Sequence, residues 1–247
     1  SETIISGQGT VFKTTTNADY VAVMEKEFVT MSGITGLVGM AASLPVTGTC
    51  FRAGDRTFFT EEYVTGKTLR EIIHDLSERN DLMGICAIID RLEGWFLTYS
   101  SLFQGDSKSL SSCYEHLFHA FDTLLSSDQK IPEIKMCERK ALDALLQCQT
   151  SISTILSHND LWPGNLIVHG ERLVAIDWER ATPDRAPFFD YYWMIISAVL
   201  EYHVCRIGMI DYSRAFRLFL EGGDDVSRYA SEKLKTFLEM HALDKKQ

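Results

Sequence analysis

The chain has 247 residues, of which 45% are hydrophobic and 23% charged, and its formal net charge is −10. A length of this order buries a large core, as one two-lobed unit or as two small domains. The acidity argues against a nucleic-acid surface and suits a cationic or neutral ligand, although solubility alone explains it equally well.

Thr3-Ile-Ile5 and Thr10-Val-Phe-Lys-Thr14 are β-prone runs around the Gly-rich turn Ser6-Gly-Gln-Gly9, which predicts a hairpin. Asn17 or Thr16 can cap a helix over residues 18–31, whose apolar positions Val21, Met24, Phe28 and Met31 recur at three- and four-residue spacing. Glu25 and Glu27 both sit on it. Residues 33–42 read as a glycine-rich loop, and further strands are expected at 47–52 and 57–63. Helical periodicity then predicts helices at 69–76, 82–98, 109–125 and 132–147, with Pro132 in the first turn of the last. His116 and His119 share a face of the third of these with Glu115, and read as packed or surface histidines rather than metal ligands. A short strand at 153–157 leads into the most informative stretch of the chain.

There, two apolar runs flank His169-Gly-Glu-Arg172, a polar turn, and predict a second hairpin. His158, Asp160 and Asn165 precede it; Asp177 and Glu179 follow it. Asp160 and Asn165 lie in an irregular loop with a Pro-Gly pair, and the antiparallel return brings Asp177 back to the same end. Two carboxylates and an amide oxygen thus gather in one volume. Hard oxygen ligands of this kind suit Mg²⁺, completed by waters and phosphates, and one carboxylate remains to take a proton from a hydroxyl.

The run His158-x-Asp160-x-x-Pro163-x-Asn165, followed by Ile176-Asp177-Trp178-Glu179, resembles the aminoglycoside phosphotransferase and choline kinase family. The usual form of that motif is His-Gly-Asp-Leu-x-Pro-x-Asn, so Asn159 departs from it at the glycine. The resemblance implies an α+β, two-lobed protein-kinase-like fold, with a small antiparallel-sheet lobe over residues 1–65 and a larger, mostly helical lobe over 66–247. It implies ATP and Mg²⁺ as cofactors and a small-molecule hydroxyl as acceptor. Asp160 becomes the catalytic base, and Asn165 and Asp177 the magnesium ligands, with Glu179 as an outer-shell contact or a solvent-facing strand end. Lys13 becomes the lysine that positions the nucleotide phosphates, and Glu27 its partner on the helix; an alternative makes residues 6–9 a phosphate-cradling loop. Lys13 is preferred because the helix begins too soon to leave room for another lysine-bearing strand. The family's first strand and phosphate loop are then expected upstream of Ser1. Backbone groups near Glu62, Tyr63 and Val64, in the connector Glu61-Glu-Tyr-Val-Thr-Gly66, would hydrogen-bond adenine. His158 is expected to pack beneath the catalytic loop, and Asp190 to hold that loop or to cap a helix starting at Tyr191.

A small-molecule acceptor is favoured over a protein by the long helical insert before the motif and the short segment after it. The aromatic cluster Phe188, Phe189, Tyr191, Tyr192 and Trp193 could cage a quaternary ammonium, although aromatics at a helix start are more often core. A catalytically inactive nucleotide- or partner-binding domain is the rival reading. The six scattered cysteines form no C-x-x-C pair and, with no signal peptide visible, suit a reducing cytoplasm. The longest apolar run, Tyr191 to Leu200, is about half the length of a membrane span. The oligomeric state is not legible.

Overall fold

The computed structural model describes residues 2–5, 9–35, 45–113, 151–208 and 210–242. The expected helix at 132–147, most of that at 109–125, His116, His119, the turn at 6–8 and most of the loop at 33–42 lie outside them.

The first lobe is a four-stranded antiparallel sheet in the order β1-β2-β4-β3, built from Glu2–Ile5, Thr10–Thr15, Thr47–Ala53 and Arg56–Glu62. The register opposes Lys13 to Phe59 and Val11 to Glu61, and the Lys13 ammonium lies 5.7 Å from the Phe59 ring centroid. Helix α1 (Ala18–Thr35) packs on this sheet. It runs four residues past the expected end and buries Met24, Glu27, Met31 and Ile34, while Glu25 stays exposed.

The connector after β4 meets the second lobe at β5 (Lys67–Thr68), which pairs with β8 (Leu166–His169). Gly66 is required at this crossing. Its φ is +148°, and a Cβ there would lie 2.1 Å from the Val168 carbonyl oxygen. Thr68 then caps α2 (Leu69–Glu78) through a reciprocal box, its hydroxyl accepting from the Glu71 N–H and its own N–H donating to the Glu71 carboxylate.

Helix α3 (Leu82–Leu102), the four-residue α4 (Leu110–Cys113), α5 (Phe188–Ile207), α6 (Tyr212–Glu221) and α7 (Asp225–Ala242) complete the described helices. One continuous core joins α1, α2, α3, α5 and α7 to the catalytic stretch through Met31, Ile73, Phe96, Trp178, Tyr191 and Phe237. Tyr191 is fully buried and stacked on Phe237 with ring centroids 3.7 Å apart. It is core, which removes it from any cage; only Phe189 and Trp193 of that cluster are largely exposed.

Between α3 and α4 lies a strand with no sequence signal, β6 (Gln104–Ser109). It pairs with β7 (Ser151–Ser157), whose other edge takes β10 (Thr182–Arg185). The second predicted hairpin is present as β8 and β9 (Arg172–Ala175), turned through Gly170, whose φ is +60°. Among the described residues no single helix is long and apolar enough to cross a membrane.

Candidate active site

The loop that carries Asp160 and Asn165 is shaped mainly by its own backbone. Asn159 takes a left-handed conformation (φ +62°) that turns the chain out of β7. The Trp162 N–H donates to the Asp160 carbonyl at 3.1 Å, and the Asn165 N–H to the Trp162 carbonyl at 2.9 Å. A 3₁₀ turn over Pro163–Asn165 follows. Gly164 is needed because a Cβ would stand 2.3 Å from the folded-over Trp162 ring. The Asn165 side chain donates its amide hydrogen to the Asp160 carbonyl at 2.9 Å, which fixes the amide and leaves its oxygen as an acceptor. The Ile176 N–H bonds the Asn165 carbonyl at 3.0 Å, which brings Asp177 alongside. Asp177 is itself left-handed (φ +67°), an unusual state for a non-glycine residue and one that Asp tolerates.

Beneath this loop lies a buried support. The Asp190 carboxylate is fully buried and accepts from the Ser157 hydroxyl at 2.9 Å and from the N–H groups of His158 and Asn159 at 2.6 and 2.9 Å. Burial pushes its pKa up, against those hydrogen bonds. Asp190 does not cap the helix: α5 starts at Phe188, after Pro187, so the residue is free to reach the loop from the first turn. His158 is also fully buried, with Nε2 2.9 Å from the Ile176 carbonyl and its ring against Trp178; burial lowers its pKa.

The other half of the site centres on Lys13. Its ammonium lies 2.5 Å from Glu27, 3.5 Å from Asp177 and 3.6 Å from Glu61. Burial opposes the lysine's charge, but Glu61 and Glu27 outweigh burial and raise its pKa. Burial pushes the Glu27 carboxyl up to about 7, more than Lys13 can lower it, and raises Glu61 as well. Glu61 went unassigned in the sequence. Its side chain is 7% exposed, and Oε2 has no hydrogen-bond partner among the described residues.

A cavity of about 300 Å³ opens beside this cluster. Lys13, Glu61, Glu62, Tyr63, Val64, Asn165 and Asp177 line it together with Thr3, Val11, Ile167 and Ile176. The connector's hydrogen bonds narrow what it can offer: the Glu62 N–H is spent on the Val46 carbonyl and the Tyr63 N–H on Gly9, both at 2.8 Å, while the Val64 N–H has no such partner among the described residues. Asp160 and Glu179 do not line this cavity. Asp160 is half-buried and tied through its carbonyl to the Asn165 side chain, and its carboxylate has no bonded partner among the described residues. Glu179 sits, half-buried, on the 3₁₀ turn Trp178–Arg180.

The donor set fits a hard cation. One amide oxygen, fixed by its own N–H bond, and one carboxylate that is 40% exposed face the same cavity. That is few protein ligands, as Mg²⁺ uses when phosphates and water complete its shell.

Residues 112–212 match the family model described as the phosphotransferase enzyme family. The match covers less than half of the chain and takes in His158, Asp160, Asn165 and Asp177. The whole chain has the kinase-like fold of the aminoglycoside phosphotransferases: it superimposes on the streptomycin–ATP complex of APH(2″)-IIa with a TM-score of 0.53 at 15% identity, covering 93% of this chain and 77% of that one. The aminoglycoside phosphotransferase APH(3″)-Id from Streptomyces rimosus, bound to ADP and streptomycin, aligns at 13% identity and TM-score 0.49, over 92% of this chain and 87% of its own. A choline/ethanolamine kinase family protein from Mesorhizobium loti aligns at 16% identity and TM-score 0.46, over 96% and 84%. No curated protein sequence matches the chain.

Proposed function

We propose that this phosphotransferase moves the γ-phosphoryl group of ATP to a hydroxyl of a small molecule, such as an aminoglycoside, another sugar or a choline-type alcohol. The observation that carries the reading is the convergence of Lys13, Asn165 and Asp177 on one cavity, with Asp160 bound through its carbonyl to the Asn165 side chain. Lys13, steadied by Glu27, binds the α- and β-phosphates. Val64 supplies the backbone N–H for the base, since its two neighbours have spent theirs. Asn165 and Asp177 would hold Mg²⁺, with Glu179 as an outer contact, and the ion would neutralise charge on the phosphates.

Asp160 has an uncommitted carboxylate, able to orient the acceptor hydroxyl and receive its proton. His158 and Asp190 carry no proton in the reaction; they hold the loop. On this reading, residues 1–65 form the nucleotide-binding lobe and 66–247 the acceptor lobe of a cytoplasmic enzyme, to which the free thiols of Cys50, Cys86, Cys113 and Cys205 are suited. Because phosphoryl transfer is mainly positioning and electrostatics, these few groups are enough.

The test is transfer of labelled γ-phosphate from Mg-ATP to a panel of aminoglycosides, sugars, choline and ethanolamine. Label on one of these compounds is the expected result. A protein that binds ATP but labels none of them overturns the proposal in favour of a nucleotide-binding domain without catalysis.

A further inference from the structure

The side chain of Asn159 does more than occupy a turn. Its Nδ2 donates to the Arg180 carbonyl at 2.9 Å and to the Thr182 hydroxyl at 2.7 Å, while its Oδ1 lies 3.1 Å from the Ser157 hydroxyl, whose one hydrogen is shared with Asp190. Asn159 directly precedes Asp160, and Arg180 lies three residues after Asp177. One amide therefore cross-links the loop carrying the proposed base to the segment leaving the proposed metal ligand. The link stands just beyond the end of the backbone ladder, in which β10 pairs with β7 at Thr182–Ser157 and Arg185–Ile155 with a register shift between. The Thr182 hydroxyl also accepts from Arg185 Nε at 3.2 Å, and Arg185 Nη1 donates to the Cys113 carbonyl at 3.3 Å. Glycine could adopt the same backbone at position 159 but could make none of these side-chain bonds.

We infer that Asn159 is a positioning residue that sets the spacing between Asp160 and Asp177. The inference rests on the phosphotransfer reading above. A shift of the base by about 1 Å is enough to cost on the order of 100-fold in rate, so the loss of this tether should appear in kcat rather than in nucleotide affinity.

The decisive variants are Asn159→Gly, which keeps the left-handed turn and the backbone bond to Asp190, and Thr182→Val, which removes the shared hydroxyl. Expected for Asn159→Gly is a fall in kcat of about tenfold or more, with KM for ATP changed by less than about threefold. Each single change should lower Tm by about 2–4 °C. The double variant should be no worse than the worse single one in both kcat and Tm, since both act on one link. Strictly additive losses, or an Asn159→Gly enzyme with full kcat, overturn this inference alone. A wild-type chain that binds ATP and transfers no phosphate overturns both readings.

Discussion

Glu27 and Trp178 are joined by a hydrogen bond, the Trp178 backbone N–H donating to Glu27 Oε1 at 3.2 Å. The same oxygen lies 2.5 Å from the Lys13 ammonium. Trp178 immediately follows Asp177, so this one buried carboxylate fixes the lysine of the sheet lobe and the backbone beside the proposed metal ligand together. Helix α1 is thereby an organiser of both halves of the cleft.

That dual role gives a pH dependence. The folded pKa of Glu27, pushed up by burial to about 7, lies above the value of about 4.3 expected in the unfolded chain. Between these values the native chain holds a proton that the unfolded chain has released, so this group's contribution to stability is lost as pH rises through the window. The Lys13 ion pair needs the charged form and strengthens in the same direction. ATP binding should therefore tighten between about pH 6 and about pH 8 while the melting temperature drifts down. In Glu27→Gln both trends should flatten. A pH-independent ATP affinity in the native enzyme would count against the role.

Asp160→Asn keeps the size of the side chain and removes its proton acceptor. Turnover should fall about 10²- to 10⁴-fold, with ATP affinity, measured by calorimetry, essentially unchanged, because Asp160 does not line the nucleotide cavity. Full activity in this variant would remove Asp160 from the chemistry.

Asp177→Asn separates the metal role from the fold. The residue is 40% exposed and carries none of the core, so the variant should melt near the native temperature. Its requirement for Mg²⁺ in ATP binding should rise about tenfold or more. An unchanged Mg²⁺ titration would shift the metal site elsewhere.

Asp190→Asn has the opposite signature. One of its oxygens becomes a donor facing groups that themselves donate, the Ser157 hydroxyl and the N–H groups of His158 and Asn159. The expected loss is about 3 kcal/mol in denaturant unfolding, with activity falling as the loop loosens.

What the sequence revealed and what it concealed divide along the range of the interactions. The second hairpin was legible because two short apolar runs and a glycine turn act within a few positions, and the motif residues followed from it. Strand β6 was illegible: Gln104-Gly-Asp-Ser-Lys-Ser109 has no apolar alternation and is a strand only because β7 lies beside it. Asp190 was placed as a possible cap because the helix was started at Tyr191; Pro187, a good helix opener, carried the correct signal. Glu61 and the Glu27–Trp178 bond depend on strand register and on partners far along the chain, which no local pattern encodes. Asn159 stood out as a departure from the motif, and the readiness of Asn to adopt positive φ was the clue to its conformation.

The close approach of Gly66 to Val168 bears on how the cleft can move. The Thr65 carbonyl also lies 2.7 Å from His169 Nδ1, and Lys67 and Thr68 are laddered to β8. The connector is thus riveted to the hairpin that carries Asn165 at one end and leads to Asp177 at the other. It cannot serve as a free hinge. Lys13 is no looser, because Glu27 ties it to the backbone beside Asp177. A nucleotide would meet a preformed seat, with the groups for its base, its cation and its phosphates joined in one connected frame.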